Sequence, residues 1–341
     1  MLFKQLKRWY FILLIAVVTA GCRLIDDDLS VCGADYLINY QVRLVTEIHA
    51  TIDERLSSDI EKEIADTLKR WSDPVFSGIA HDLDMSFYSL DGTDELNYHT
   101  YEIIDATQKS YTLYIPREDY MHLAVVNTTD NGNVSLSGVD NSATMQITQR
   151  SAEVLPSHPT AIYTARLEML MPQESNKDLS FDVHLYMASC ASALVVINGD
   201  EVLPKVKEVL VDGMATEFSV RDSIFRFNHP SLIYAERVTD ECFAAVSLPS
   251  RDFIAASGSP ASPMKADDNG LWRMRVYVQV PDGTVTENIL SVPTPLRAGT
   301  IDILRVKLHD DGSLEVVGNA NVGVSVKLDW NEGDEYEVIT G

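Results

Sequence analysis

The chain has 341 residues, with 27 Lys and Arg against 51 Asp and Glu and a formal net charge of −24. So large an acidic excess excludes nucleic acid and anionic lipid surfaces as partners, because both are bound through basic patches. An apolar content of 45% is that of a globular chain rather than a disordered one, and the length leaves room for two domains, since single cores stop growing near ~250–300 residues.

Residues 1–21 read as a secretory signal. Lys4, Lys7 and Arg8 form a positive n-region, Phe11 to Val18 a short apolar run and Thr19-Ala20-Gly21 a small-residue cleavage site. The run is too short to cross ~30 Å of hydrocarbon as a permanent span. Because Cys22 follows directly, the reading is lipoprotein processing: cleavage between Gly21 and Cys22 and diacylation of the Cys22 sulfur. Several acyl chains, at roughly 0.8 kcal/mol per buried CH₂, hold firmly where one does not. Ordinary secretion with an incidental cysteine is the alternative, and Thr19 stands where bacterial lipoboxes usually carry an aliphatic residue. An acidic linker, 22–34, follows with Asp26-Asp27-Asp28. Of the four cysteines, a lipidated Cys22 leaves Cys32, Cys190 and Cys242, which permit at most one intramolecular disulfide. Cys190 and Cys242 lie among Met187-Ala188-Ser189 and Phe243-Ala244-Ala245, so they read as buried hydrophobes with no obligatory bridge.

Tyr36 to Val45 alternates as a strand, with Tyr36, Ile38, Tyr40, Val42 and Leu44 on one face. From Ser57 to Trp71 the pattern changes: Ile60, Ile64, Leu68 and Trp71 form the stripe of an amphipathic helix. Ser58 and Glu61 have the spacing of a capping box, and Asp73-Pro74 is expected to end the helix, the one convincing helix of the chain. From Leu83 the signals are β. Met85–Leu90, Tyr111–Ile115 and His122–Asn127 are separated by turn residues, as in a sandwich. The polar stretch Leu170–Leu179 is the expected domain boundary, giving domains 35–174 and 175–341. A second strand series runs through Phe181–Met187, Leu194–Ile197, Val206–Val211, Ile224–Asn228, Glu241–Leu248, Arg273–Val280, Thr284–Leu290, Thr300–Leu308 and Val322–Trp330. Pro281-Asp282-Gly283 marks a hairpin and 257–270 a small-residue loop. Both halves therefore read as antiparallel β-sandwiches, with one helix in the first.

Motifs that carry chemistry are sparse. The sequence has no G-x-S-x-G elbow, zinc-helix H-E-x-x-H, P-loop or G-x-G-x-x-G turn. His81-Asp82-Leu83-Asp84 has the residue types for a cation or for acid–base work, but turn Asp residues bonded to backbone amides are the commoner use of such a cluster. Asp26-Asp27-Asp28 and Asp267-Asp268-Asn269-Gly270 lack the spacing of a calcium loop. Tyr98, Tyr101, Tyr111, Tyr114 and Tyr120 have the composition of a sugar platform, yet at strand spacing most are expected in a core. Neither a metal nor a cofactor is expected.

Several segments together resemble one family. Cys22-x-x-Ile25-x-Asp27-Asp28-Leu29-x-x-Cys32 resembles the mature N-terminus of the FimB/Mfa-type minor fimbrial anchor lipoproteins of Bacteroidales, subunits of the type V pilus. The runs from Ile79 to Tyr88, from Asp105 to Tyr114 and from Tyr120 to Ala124 are similar to the first-domain signature, and Gly323 to Trp330 to the last strand. Asp26 and Thr19 depart from the pattern. The resemblance implies two transthyretin-like β-sandwich domains in tandem, lipid at Cys22 and a place at the pilus base on the outer membrane, exposed at the surface. The implied partner is the fimbrial shaft subunit, attached by strand exchange, with pilus length limited by the anchor. The implied physics is β-augmentation, in which backbone hydrogen bonds supply affinity and alternate side chains specificity. Since cleavage of an N-terminal strand would cost an anchor its lipid, the segment facing the shaft is expected near Asn321–Gly341. Val322, Val324, Val326 and Leu328 fall on one face there, as a donated strand needs and as an ordinary last strand also has. The competing classes are a surface glycan-binding lipoprotein of the outer membrane and an enzyme using His81 and Asp84. Trp71, Trp272 and Trp330 make a poor sugar platform and no companion motif supports catalysis, so a non-catalytic structural role leads.

Overall fold

The fold was analysed in a computed structural model that describes residues 35–45, 48–56, 62–76, 82–102, 110–116, 118–129, 131–170, 179–197, 205–252, 271–318 and 322–327. The chain order begins β1 (Asp35–Val45), α1 (Ile48–Arg55), α2 (Lys62–Phe76), β2 (Leu83–Ser89), β3 (Leu96–Glu102), β4 (Ser110–Pro116) and β5 (Tyr120–Val126). Short strands follow, β6 (Val134–Ser137), β7 (Gln146–Gln149) and β8 (Val154–Pro156), then β9 (Tyr163–Met169), β10 (Leu179–Met187), β11 (Cys190–Ile197) and β12 (Lys205–Asp212). The remainder is β13 (Glu217–Ser219), β14 (Ile224–Arg226), β15 (Leu232–Tyr234), β16 (Glu236–Thr239), β17 (Cys242–Ser247), β18 (Trp272–Gln279), β19 (Val285–Val292), β20 (Ile301–Leu308), β21 (Leu314–Val316) and β22 (Gly323–Lys327).

The first sheet has the order β3-β2-β5-β9-β10-β1-β4. The alternation read in the sequence is realised in β1, where Ile38, Tyr40 and Val42 are buried. The β9–β10 seam is short: among the described residues its register pairs are Tyr186↔Thr164 and Met187↔Tyr163, extended by Ala188 N–H donating to Ile162 O. In a flat sheet β5 and β1 would lie three strand spacings apart, roughly 14 Å. Yet the Tyr40 hydroxyl meets His122 Nε2 at 2.6 Å, so the sheet folds over at that seam into two layers. Ser86 O can only accept, which places the proton on His122 Nδ1, 3.0 Å away, and leaves Nε2 to accept from Tyr40. Burial holds this neutral ring at a pKa of about 4, against the weaker upward pull of the Ser86 bond.

The helices lie between this sheet and a five-stranded one, β16-β17-β11-β20-β21. Ile48, Ile52 and Leu56 form a buried stripe along α1, an element the sequence reading missed. In α2 the buried face is Ala65, Leu68, Ser72 and Phe76, with Ile64 and Trp71 half-buried at its margin. The helix runs through Pro74 to Phe76 instead of stopping at Asp73-Pro74. Proline removes only its own bond to a carbonyl four residues back, and the final turn is held by Ala161 N–H donating to Val75 O and Tyr163 O–H to Phe76 O. The expected capping box, Ser58 to Glu61, lies outside the described residues.

The five-stranded sheet is buried on both faces, which is why β11 reads as a continuous apolar run. Ala191, Ala193 and Val195 face the helices, and Cys190, Leu194 and Val196 face a second core shared with the six-stranded sheet β22-β19-β18-β12-β15-β8. A four-stranded sheet, β14-β13-β7-β6, covers the remaining face of the first sheet over Met121, Leu123 and Val125. The fold is therefore mainly β, built from stacked sheets. Two features differ from the sequence reading. The sheets are mixed rather than purely antiparallel: β1 runs parallel to β10, and β11 parallel to β20. The strand expected to open the second domain, Phe181–Met187, is instead β10 in the first sheet, and β6, β7 and β8 join strands from the later half. A local hydrophobic pattern identifies a strand but does not name its neighbour.

Candidate functional site

The candidate site is the open side of the sandwich between the five- and six-stranded sheets. There the two sheets end together, in β21 and β22. β18 and β19 form the hairpin expected at Pro281-Asp282-Gly283, where Gly283 takes a positive φ of 92°. β22 lies antiparallel against β19, with Leu290↔Val324 and Asn288↔Val326. Directly opposed residues share a face. Leu290 and Asn288 are fully buried, so Val324 and Val326 point inward, and each is nevertheless 39% exposed. Val322 packs against the core one step earlier. Val317, just past β21, is also exposed. Among the described residues nothing pairs with the outer edge of β22. An edge strand carrying apolar residues on a partly uncovered inner face is a template for another strand.

Behind the opening the structure is firm. Asn288 Nδ2 donates to Gly312 O at 2.9 Å and its Oδ1 accepts from Leu314 N at 3.1 Å, which ties β19 to the β20–β21 turn. Gly312 has a φ of 79°, and a Cβ there would meet the Thr286 and Val280 side chains at 2.7 Å. The lateral gap thus lies between a pinned turn on one side and, on the other, a strand whose outer edge has no neighbour among the described residues.

Of the residues singled out in the sequence, Val322, Val324 and Val326 come together at this edge as an in-place last strand. Leu328, Gly21, Cys22, His81 and Trp330 lie outside the described residues, as does the 257–270 loop. Asp82 is used structurally: it is buried and its Oδ2 accepts from Thr129 N at 2.7 Å. Asp84 pairs with His99 Nε2 at 2.8 Å and accepts from Ser86 Oγ. Among the described residues no three His, Cys, Asp or Glu side chains are grouped to hold a metal, and no helix is long and apolar enough to cross a membrane. Tyr111 and Tyr120 are buried, while Tyr101 and Tyr114 are exposed on β3 and β4, the two ends of the first sheet, and form no common platform. Trp272 is fully buried with Nε1 donating to Thr294 O, which leaves no ring face for sugar, and Trp71 is half-buried against the helix-side core with Nε1 donating to Glu236.

Cys190 and Cys242 are free and buried. They pair across β11 and β17 with Ser247 and Val195 respectively, and they face different cores. Five residues of strand separate them, roughly 17 Å, far beyond the reach of a disulfide. Burial pushes each thiol up to about 12, so both are unreactive packing residues.

No family model matches the chain, and no curated protein matches it. The fold itself is shared with solved structures. A "putative adhesin" from Bacteroides ovatus superposes with a TM-score of 0.50 at 9% identity, over 85% of this chain and 96% of the other. A second protein of that description, from Bacteroides thetaiotaomicron, gives 0.50 at 10% identity over 85% and 96%. The tip fimbrial protein Mfa3 of Porphyromonas gingivalis, truncated at its C-terminus, gives 0.46 at 10% identity over 87% and 100%. At these identities the likeness to the two Bacteroides proteins establishes a common fold.

Proposed function

We propose that this protein is a cell-surface fimbrial subunit of the FimB/Mfa anchor type, non-catalytic and tethered to the outer membrane by lipid on Cys22. In this reading the chain forms two transthyretin-like sandwiches that meet near Met187–Cys190, the second carrying the open side. The pilus shaft attaches there by strand exchange, and the fixed anchor limits pilus length. The observation that carries the reading is the exposure of Val324 and Val326 on the inner face of an edge strand with no described outer neighbour. A shaft strand added to β22, or replacing it, would cover both side chains and satisfy the open backbone row. The fold shared with the two Bacteroides structures named as adhesins supports the surface role, and the signal and Cys22 at the N-terminus support the tether.

The test is shaft attachment by a Val324→Asp, Val326→Asp double mutant, alongside the intact mass of the native protein and of Cys22→Ala. The expected results are a folded double mutant whose cells release shafts, a wild-type chain beginning at a diacylated Cys22, and pili shed into the medium by Cys22→Ala. Normal attachment by the folded double mutant would remove the edge from the mechanism. An unlipidated N-terminus after an internal arginine such as Arg43 or Arg55 would make the protein a shaft or tip pilin.

A further inference from the structure

A cavity of about 180 Å³ lies on the outer face of the six-stranded sheet, away from the β21–β22 opening, and pilus attachment has no use for it. Its floor is Asp212 on β12 with Arg273 and Arg275 on β18; the alternate residues of these strands, Val211, Met274 and Val276, point into the core. The segment between β14 and β15, from Phe227, together with Leu232 at the start of β15, forms one wall, and Arg251, just beyond β17, completes it. Three arginines thus line one small space in a chain of net charge −24.

Asp212 is the one lining carboxylate among the described residues. Its Oδ2 accepts from Arg273 Nη2 at 2.6 Å and from Arg275 Nη2 at 3.1 Å. Glu287 stands behind, 3.9 Å from Arg275, and accepts from the Tyr277 hydroxyl at 3.2 Å. The Arg251 guanidinium carbon lies 4.8 Å from the centroid of the ring of Phe227, another residue of the cavity wall. A guanidinium carries five N–H donors in a rigid fork matched to a carboxylate; the shared Asp212 oxygen orients both forks, and Arg275 keeps a buried Nε with no hydrogen-bond partner among the described residues. The Asp212 and Arg273 side chains are only 9% and 14% exposed, so an anion reaching them leaves water behind and meets charge-assisted donors.

The surroundings narrow the occupant. β12 runs between β18 and β15, and β18 between β19 and β12, so no free strand edge borders the cavity for an extended peptide to join. A long polyanion would be repelled by the chain as a whole. The volume is below the ~300 Å³ at which pockets for drug-sized ligands begin, and suits one ring with its substituents. Phe227, Leu232 and Met214 supply apolar wall for the C–H face of such a ring.

We infer that this cavity binds a single carboxylate-bearing sugar residue, of the uronic acid class, with its carboxylate held among Arg251, Arg273 and Arg275. The protein would then carry a saccharide site separate from its attachment edge.

The experiment is an NMR titration of the full chain with methyl β-glucuronide, with methyl β-glucoside as the neutral twin and an acidic dipeptide amide as the peptide competitor. Saturable binding of the glucuronide alone is expected, with shifts at residues 212–214, 227–232, 251 and 273–275. Arg251→Gln is expected to weaken it about tenfold or more, the loss of a charged hydrogen-bond donor, while Arg166→Gln on β9 leaves it unchanged. Should Arg251→Gln fail to fold, the wild-type shift map still decides. The inference falls if the glucuronide does not saturate, if the glucoside binds equally, if the peptide binds more tightly, or if the shifts map elsewhere.

Discussion

The six-stranded sheet has two edges, and they are finished in opposite ways. At one edge, β8 lies parallel to β15 and ends in Pro156, which has no N–H to offer a further strand. Asn133 Nδ2 donates to Pro156 O at 3.0 Å and Ser157 O at 3.3 Å, Ser157 Oγ accepts from Val246 N, and His158 N donates to Val246 O. The chain thus crosses from β8 to β17 of the opposing sheet and closes that side. At the other edge β22 has a single described neighbour, β19, and its inward valines are part-exposed. One sequence supplies both solutions, so the open edge is not a general weakness of the sheet. Side-chain hydrogen bonds close the β8 edge, while among the described residues the β22 edge has no such closure.

Acid is expected to act most strongly, and on the closed side first. His158 is 1% exposed, and among the described residues neither ring nitrogen has a hydrogen-bond partner. Burial lowers its pKa to about 4, as it does for His122. Both folded values lie below the unfolded value near 6.5, so between them the unfolded chain binds more protons. Stability present above pH 6.5 is therefore lost as the pH falls toward 4, by about 3 kcal/mol for each histidine. Urea midpoints measured from pH 7.5 to 4.5 should show this fall, and His158→Leu should flatten roughly half of it. An unchanged slope in His158→Leu would mean that the ring is not buried as the structure has it.

Removing the Asn133 side chain comes next. Asn133→Ala leaves the Pro156 and Ser157 carbonyls without their Asn133 bonds in a buried setting, which costs roughly 2–3 kcal/mol. The readout is again the urea midpoint, and hydrogen exchange in β8 should rise ahead of that in β18. The smallest effect belongs to the open edge. Val326→Thr removes little buried apolar area at a side chain already 39% exposed, so its cost should be below about 1 kcal/mol. A cost of several kcal/mol would show that β22 is part of the closed core, and the contrast between the edges would disappear.

Much of this was legible in local patterns. The alternation of β1, the hairpin turn at Gly283, the apolar run of β11 and the stripe of α2 each state their geometry within a dozen residues. The stripe Ile48, Ile52, Leu56 stated α1 just as clearly, but over two turns such a signal competes with the flanking strand pattern. The edge proposed for attachment was half legible: Val322, Val324 and Val326 were placed on one face, and only the structure revealed how much of that face is left uncovered. The arginine cavity gave no signal beyond Arg273 and Arg275 two residues apart on a strand, because Asp212, Phe227 and Arg251 reach it from three other segments.

By itself the sequence determined the β class, one amphipathic helix, the buried thiols and the expectation of a lipid-bearing N-terminus, since each depends on residues close together in the chain. Which strands become neighbours, that β10 closes the first sheet, that one edge is tied shut and the other left open, and that three guanidiniums share one cavity were decided only in the tertiary structure. The physical reason is that a strand's side-chain pattern specifies the face it buries, whereas its two backbone edges are chemically alike along the whole chain. Partners for those edges are selected by packing among segments that lie far apart in sequence.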